Sequence, residues 1–239
     1  MSKLFQVSLF QALTLGGFDG EISVAELKKH GDTGIGTYSG VNGELIMVDG
    51  TTYQAFADGT VVIAPDNETV PYSGVAFFTG KYHKEISANS FNELIAKLNA
   101  IAEEYGKNMC YFVKLHAKFD RIIVRSILKQ KKPYVMLNEA VKRGQREFTR
   151  ENMAGTIVGL YCPEYMKGLN AVGWHCHFIA DDGSIGGHVF DVSFTKGSLD
   201  IDKMDGYELY IPNTKEFNEK DFGQDLSKAI DEAEKRPGA

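Results

Sequence analysis

The chain has 239 residues, 43% of them hydrophobic and 11% aromatic, with 26 Lys and Arg against 32 Asp and Glu for a formal net charge of −6. That composition is ample for a globular core in one large domain or two small ones, and the acidic balance, with no basic run longer than the one at 129 to 132, argues against nucleic acid as a partner. No stretch of about eighteen apolar residues occurs, so no membrane-spanning helix is expected, and Cys110, Cys162 and Cys176 are too scattered for a disulfide framework or a cysteine zinc site. The expectation is a soluble, cytoplasmic protein in a reducing compartment.

Taken in chain order, Leu4 to Leu13 reads as an amphipathic first element interrupted by Gln6 and Gln11. Ser23-Val24-Ala25-Glu26 fits a capping box and predicts a helix start, because Ser accepts from an early backbone amide while Glu reaches back to another. A glycine-rich approach, Gly31 to Thr37, leads to Gly43 and then to Glu44, a carboxylate that opens an apolar strand running to Val48. Further β-like runs follow at 53 to 56, 60 to 64 and 75 to 78, with Asp49-Gly50 and Asp58-Gly59 as hairpin signals. A second capping box, Ser90 to Glu93, starts a helix whose Phe91, Leu94, Ile95, Leu98, Ile101, Ala102 and Tyr105 recur at helical spacing, with Gly106 as the stop.

Two strands are expected next, at 110 to 119 and 122 to 128. In the second, period two puts Arg121, Ile123 and Arg125 on one face: either this is an edge strand with exposed arginines, or at least one guanidinium faces the interior and needs an anion. The polar, proline-bearing stretch Lys129 to Pro133 suggests a division into a mixed-sheet domain, residues 1–130, and a metal-binding β domain, residues 131–239, although strands on its two sides could also join one sheet. A strand at 156 to 161 precedes the most informative part of the chain. After it come a strand at 207 to 211 and a helical tail from about 221 to 235.

That informative part is Gly173-Trp174-His175-Cys176-His177-Phe178 followed by Gly186-Gly187-His188-Val189-Phe190-Asp191. On a strand, side chains alternate faces, so His175 and His177 project together while Trp174, Cys176 and Phe178 point the other way. In the second run, His188, Phe190, Val192 and Phe194 are expected to share one face. The turn-rich Asp181-Asp182-Gly183-Ser184 between the runs predicts an antiparallel hairpin with His177 nearly opposite His188. Three neutral imidazoles suit zinc, copper, iron or nickel, and three protein ligands leave positions open for water or substrate. Cys176 is expected to pack rather than ligate, and His30, His83 and His116 are isolated.

These segments, in this order, resemble the α-acetolactate decarboxylase family over nearly the whole chain. The matching pieces are His30 to Thr37, Gly43 to Ile46, the strand carrying Arg125, Lys132 to Val135, Gly155 to Gly159, the two histidine motifs, and Leu209 to Thr214. The resemblance implies a strand-rich α/β (α+β) fold with an N-terminal mixed sheet and a C-terminal barrel-like antiparallel sheet, and a homodimer. It implies a divalent ion, usually zinc, on His175, His177 and His188. Glu44 and Arg125 match the family's active-site glutamate and arginine, and Thr37 its substrate-contacting threonine. A C-terminal glutamate is matched best by Glu234, with Glu232 a close competitor.

The implied reaction converts (S)-2-acetolactate to (R)-acetoin and carbon dioxide through a metal-stabilised enediolate, with no organic cofactor. Arg125 would orient the departing carboxylate, and Glu44 and Glu234 would do the proton work. The rival readings are another three-histidine metalloenzyme, such as a cupin-like oxygenase or a zinc hydrolase, and a non-catalytic domain stiffened by its metal.

Overall fold

A computed structural model describes residues 2–234. The strands are β1 (Lys3–Val7), β2 (Ile22–Ser23), β3 (Thr33–Thr37), β4 (Glu44–Val48), β5 (Thr51–Ala55), β6 (Val61–Ile63), β7 (Thr69–Val70), β8 (Tyr72–Ala76), β9 (Tyr82–Ala88), β10 (Cys110–Ile127), β11 (Gln145–Cys162), β12 (Gly173–Ala180), β13 (Gly186–Met204) and β14 (Gly206–Tyr210). The helices are α1 (Phe10–Thr14), α2 (Val24–Leu27), α3 (Phe91–Tyr105), α4 (Leu137–Gly144), α5 (Lys215–Asn218) and α6 (Ser227–Glu234).

The first sheet is mixed, in the order β14-β1-β8-β3-β4-β5-β6, with β1 and β14 parallel and the remaining pairs antiparallel. The second is antiparallel, in the order β10-β11-β12-β13-β9, and closes on itself through an additional β10–β13 pairing. This is the strand-rich α/β architecture with a barrel-like sheet that the sequence implies. The segment at 129 to 133 links β10 to α4, and the strands on its two sides, β10 and β11, are neighbours in the second sheet.

Local chemistry accounts for the joints. Asp49 and Gly50 both have positive φ, at 49° and 78°, the conformation a two-residue hairpin turn requires, and they join β4 to β5. Ser90 accepts from the Glu93 amide while Glu93 accepts from the Asn89 amide, so α3 begins where the capping box places it. It ends at Gly106, whose φ of +116° favours glycine. The box at Ser23 starts only the single turn of α2, which His30 and Gly31 follow into β3.

Two apolar clusters frame the site. Leu94 and Leu98 of α3 pack with Phe112's neighbours Tyr111 and Val113, and with Phe119, Phe178 and Phe194, inside the closed sheet. Ile35 and Ile46 of the first sheet meet Phe112, Val158 and Leu160 of the second, so the two sheets are stacked face to face through a dry layer. At the end of that layer the apolar contacts give way to charged side chains, and α1, α4 and α6 cover the opening.

Several elements depart from expectation. Leu4 to Leu13 is not one element: β1 ends at Val7, Ser8 takes a φ of 60°, and α1 begins at Phe10. The runs at 110 to 119 and 122 to 128 are one continuous strand. Ala117 and Phe119, then Ile122 and Val124, all belong to the barrel core, so the alternation changes phase at Asp120-Arg121 while the backbone ladder continues. The tail helix starts at Ser227 rather than near 221, and Lys235 lies outside the described residues.

Candidate metal centre

Two cross-strand rows face one another. Directly opposed residues in an antiparallel pair project from the same face of the sheet. In the first sheet the register aligns Tyr72 with Thr37 and Thr37 with Glu44 across β8, β3 and β4. In the second it aligns His177 with His188 and His188 with Arg125 across β12, β13 and β10. The pairing of His177 with His188 is the one predicted from the hairpin.

His175 Nε2 lies 3.0 Å from His177 Nε2 and 3.0 Å from His188 Nδ1. All three rings are buried, and their ligand atoms all fall within 4.8 Å of one another, the one such group of three or more potential metal ligands among the described residues. Two nitrogens bound to the same tetrahedral zinc stand roughly 3.3 Å apart, given bonds of about 2.0–2.1 Å, so the observed spacing fits. Burial, with a contribution from Arg125, pushes His175 down to about 3, and burial holds His177 and His188 well below their ordinary value. Neutral rings present lone pairs. The Nδ1 of His177 sits 2.9 Å from the Leu45 carbonyl, so its N–H donates there and leaves Nε2 as a ligand atom. Three inward lone pairs repel one another unless a cation lies among them, and the donor set therefore fits a metal ion.

The second histidine run corrects one expectation. His188, Phe190, Val192 and Phe194 do not share a face, because β13 carries a bulge: Val124 pairs with Val189 while Ile123 pairs with Asp191, which leaves Phe190 as the extra residue. Val189, Val192 and Phe194 consequently all enter the barrel core. Phe190 instead packs 5.5 Å from the His188 ring and 5.8 Å beneath the Arg125 guanidinium. Cys176 lies with Phe178 in the barrel core, away from the histidines, as strand alternation predicts.

Charged groups bracket the triad. Arg125 is 3% exposed and Glu44 5%, and Arg125 Nη1 donates to Glu44 Oε1 over 2.9 Å. Its Nη2 donates to the Ala233 carbonyl at 3.2 Å and stands 3.9 Å from Glu234 Oε1. One guanidinium thus lies between two carboxylates. Glu44 Oε2 is 3.5 Å from His177 Nε2, and Glu234 Oε2 is 3.5 Å from His175 Nε2 and 3.9 Å from His188 Nδ1. Burial raises the Glu44 carboxyl to about 7 against the opposing pull of Arg125, and burial raises Glu234 as well. Glu232 turns the other way, accepting from Asn138 and Lys142 of α4. The guanidinium of Arg121, on the same strand as Arg125, reaches Asp191 and remains partly exposed.

Thr37 is buried, and its hydroxyl donates to the Gly43 carbonyl at 2.7 Å. Thr37, Glu44, Arg125, His175, His177 and Glu234 line one tight pocket, whose apolar wall comes from Phe10, Leu13, Ile127 and Leu137. A second cavity, about 360 Å³, shares His175 and Glu234 with it, is also lined by His188, and lies against Phe91 and Ile95 of α3. Sequence reasoning missed Tyr72, which completes the first-sheet row and lines the same pocket. The only signal for it was the pairing of β8 with β3.

A buried three-imidazole group, set between two carboxylates and an arginine on two stacked sheets, has the donor set and the charged surroundings of an enzyme site that can hold a metal ion. The chain belongs to the α-acetolactate decarboxylase family, whose family model matches residues 4–224. It is 39% identical over 235 residues to the α-acetolactate decarboxylase of Methanosarcina mazei, covering 97% of this chain and 80% of that one. It is 34% identical over 243 residues to that of Bacillus licheniformis, covering 99% and 93%. The crystal structure of α-acetolactate decarboxylase from Bacillus subtilis strain 168 superposes with a TM-score of 0.93 at 33% identity, covering 98% of this chain and all of that one.

Proposed function

We propose that the protein decarboxylates (S)-2-acetolactate to (R)-acetoin and carbon dioxide in acetoin and butanediol biosynthesis, with zinc on His175, His177 and His188. The observation that carries this reading is the single guanidinium held between the buried Glu44 and the half-buried Glu234 carboxylates against the histidine triad. In the substrate the bond from C2 to the carboxylate breaks and carbon dioxide leaves. The electron pair passes to C2 and onto the adjacent ketone oxygen as an enediolate, and a proton added at C2 gives acetoin. A bound divalent ion supplies Lewis-acid stabilisation for the charge that develops on oxygen.

The chain's own residues do the rest. Arg125 orients the departing carboxylate, and its Nε, buried with no partner among the described residues, is a donor available to it. Gripping that carboxylate too well would favour the ground state, so the role of Arg125 is placement. Burial raises both the Glu44 carboxyl, to about 7, and that of Glu234, which favours the protonated form that can release a proton from a carboxyl oxygen toward C2. Thr37 retains hydroxyl lone pairs to accept from the substrate hydroxyl. Phe10, Leu13, Ile127 and Leu137 exclude water from the opposite wall, so the proton arrives on one face.

We take the functional unit to be a cytoplasmic homodimer, which sedimentation of the purified protein tests. The deciding experiment is anaerobic conversion of racemic acetolactate, with acetoin and its chirality measured and the protein's metal quantified. Turnover abolished by chelator and restored by zinc supports the reading. Oxygen consumption without acetoin would replace it with an oxygenase. Metal-dependent melting with no turnover would replace it with a structural metal domain.

A further inference from the structure

We propose that the hydroxyl of Tyr72 donates a hydrogen bond to an oxygen of the bound substrate, which makes Tyr72 a further substrate-contact residue. The inference rests on the acetolactate reading above and deepens it.

Three observations converge. First, Tyr72 is in register with Thr37, and Thr37 with Glu44, so the three side chains leave one face of the first sheet as a row along the pocket that His175 and His177 also line. Second, Tyr72 is 3% exposed and lines the pocket that also contains Glu44, Arg125, His175 and Glu234. Third, its hydroxyl is buried and meets no donor or acceptor among the described residues. Only four other buried side-chain atoms among the described residues share that condition, on Thr52, Arg125, Asn138 and Gln145, and of these only Arg125 lines the pocket. The two pocket residues with unmet hydrogen-bonding capacity are therefore an arginine, suited to a carboxylate, and a phenol.

Packing does not explain the hydroxyl. The Tyr72 ring meets Phe10 edge-on with centroids 5.3 Å apart, and it joins Leu13, Val41 and Leu137 in an apolar cluster where a phenylalanine would serve equally well. A buried hydroxyl with no partner disfavours the free enzyme, and that cost disappears when an acceptor arrives. Burial, with smaller contributions from Cys162, Tyr207 and Glu234, keeps the phenol protonated, so it is a donor and not a base. 2-Acetolactate brings carboxylate, hydroxyl and ketone oxygens, all acceptors, into a pocket where Tyr72 is flanked by the apolar Phe10, Leu13, Val41 and Leu137.

The test is Tyr72→Phe, assayed beside the wild-type enzyme with metal content measured in both. The variant is expected to lose roughly ten- to a hundredfold in kcat/KM, the range for a hydrogen bond to a charged oxygen, with its zinc content unchanged. Its metal-free form should melt at the same temperature as wild type or higher, because the unsatisfied hydroxyl has gone. A kcat/KM within twofold of wild type would overturn the inference, as would a lower melting temperature, which would expose a structural partner for the hydroxyl. Absence of turnover in the wild type would sink the decarboxylase reading itself, and this inference with it.

Discussion

Arg125→Met in metal-free protein removes a charge but keeps most of the side-chain volume, and it tests the buried ion pair directly. Both partners are almost wholly inside, with side chains 4% and 7% exposed, and the guanidinium supplies Glu44 with a bond of 2.9 Å. Breaking such a pair by removing one partner costs about 3–5 kcal/mol, because the other is left buried without compensation. For a chain of this size each kcal/mol moves the melting temperature by about 2–4 °C, so a loss of roughly 10 °C is expected. Glu44→Gln should cost less, about 1–3 kcal/mol, because Arg125 keeps the Ala233 carbonyl and Glu234. The double variant should then be more stable than the sum of the single losses implies, by about 1.5 kcal/mol or more. Urea unfolding at pH 7.5 in chelator, followed by circular dichroism, measures all four proteins. Additivity within about 0.5 kcal/mol would show that the two residues do not depend on one another and would refute the reasoning.

Other outcomes separate the roles of neighbouring residues. Glu234→Gln should reduce turnover by about 10²-fold or more if its carboxyl carries the proton, while Glu232→Gln, which alters contacts with α4 and with Lys228 away from the triad, should stay within about twofold in the same acetoin assay. His175→Ala should lose both metal and activity, read by metal analysis of the purified variant, because its Nε2 adjoins a ligand nitrogen of each of the other two histidines. At the start of α3, Lys97 and then Asn89 hold the exposed Glu93 carboxyl down to about 2. A depressed carboxylate contributes stability above its unfolded value near 4.5 and loses it as pH falls toward 2. Glu93→Gln should therefore lower the melting temperature at pH 7, and the difference from wild type should vanish by about pH 2; a gap that persists there would show that charge is not the cause.

The histidine triad was legible because the strand period and the turn chemistry act locally: His175 and His177 are two residues apart, and the turn at 181 to 184 fixes the register that sets His177 opposite His188. The capping boxes are local in the same way. What the sequence concealed depends on distant pairing or on breaks in periodicity. β3 is built from Thr33-Gly34-Ile35-Gly36-Thr37, and with glycine at alternate positions it shows no apolar alternation, yet it is buried throughout between β4 and β8. β9 has mostly polar and partly exposed residues because it lies at the edge of its sheet. The 145 to 155 portion of β11 carries charges on a largely exposed stretch and so looks like a loop. The meeting of Glu44, Arg125 and Glu234, from β4, β10 and α6, was accessible only through family resemblance, since no local pattern joins residues so far apart in the chain.

The bulge at Phe190 lets β13 serve two environments that want opposite things. Upstream of it the strand delivers His188 to a charged cavity, and downstream it delivers Val192 and Phe194 to an oily interior. Removing that single residue would restore ideal pleating but would force a choice between seating the imidazole and filling the barrel. An irregularity that an idealised design would smooth away is thus the hinge of the division between reactive and structural halves of one ribbon.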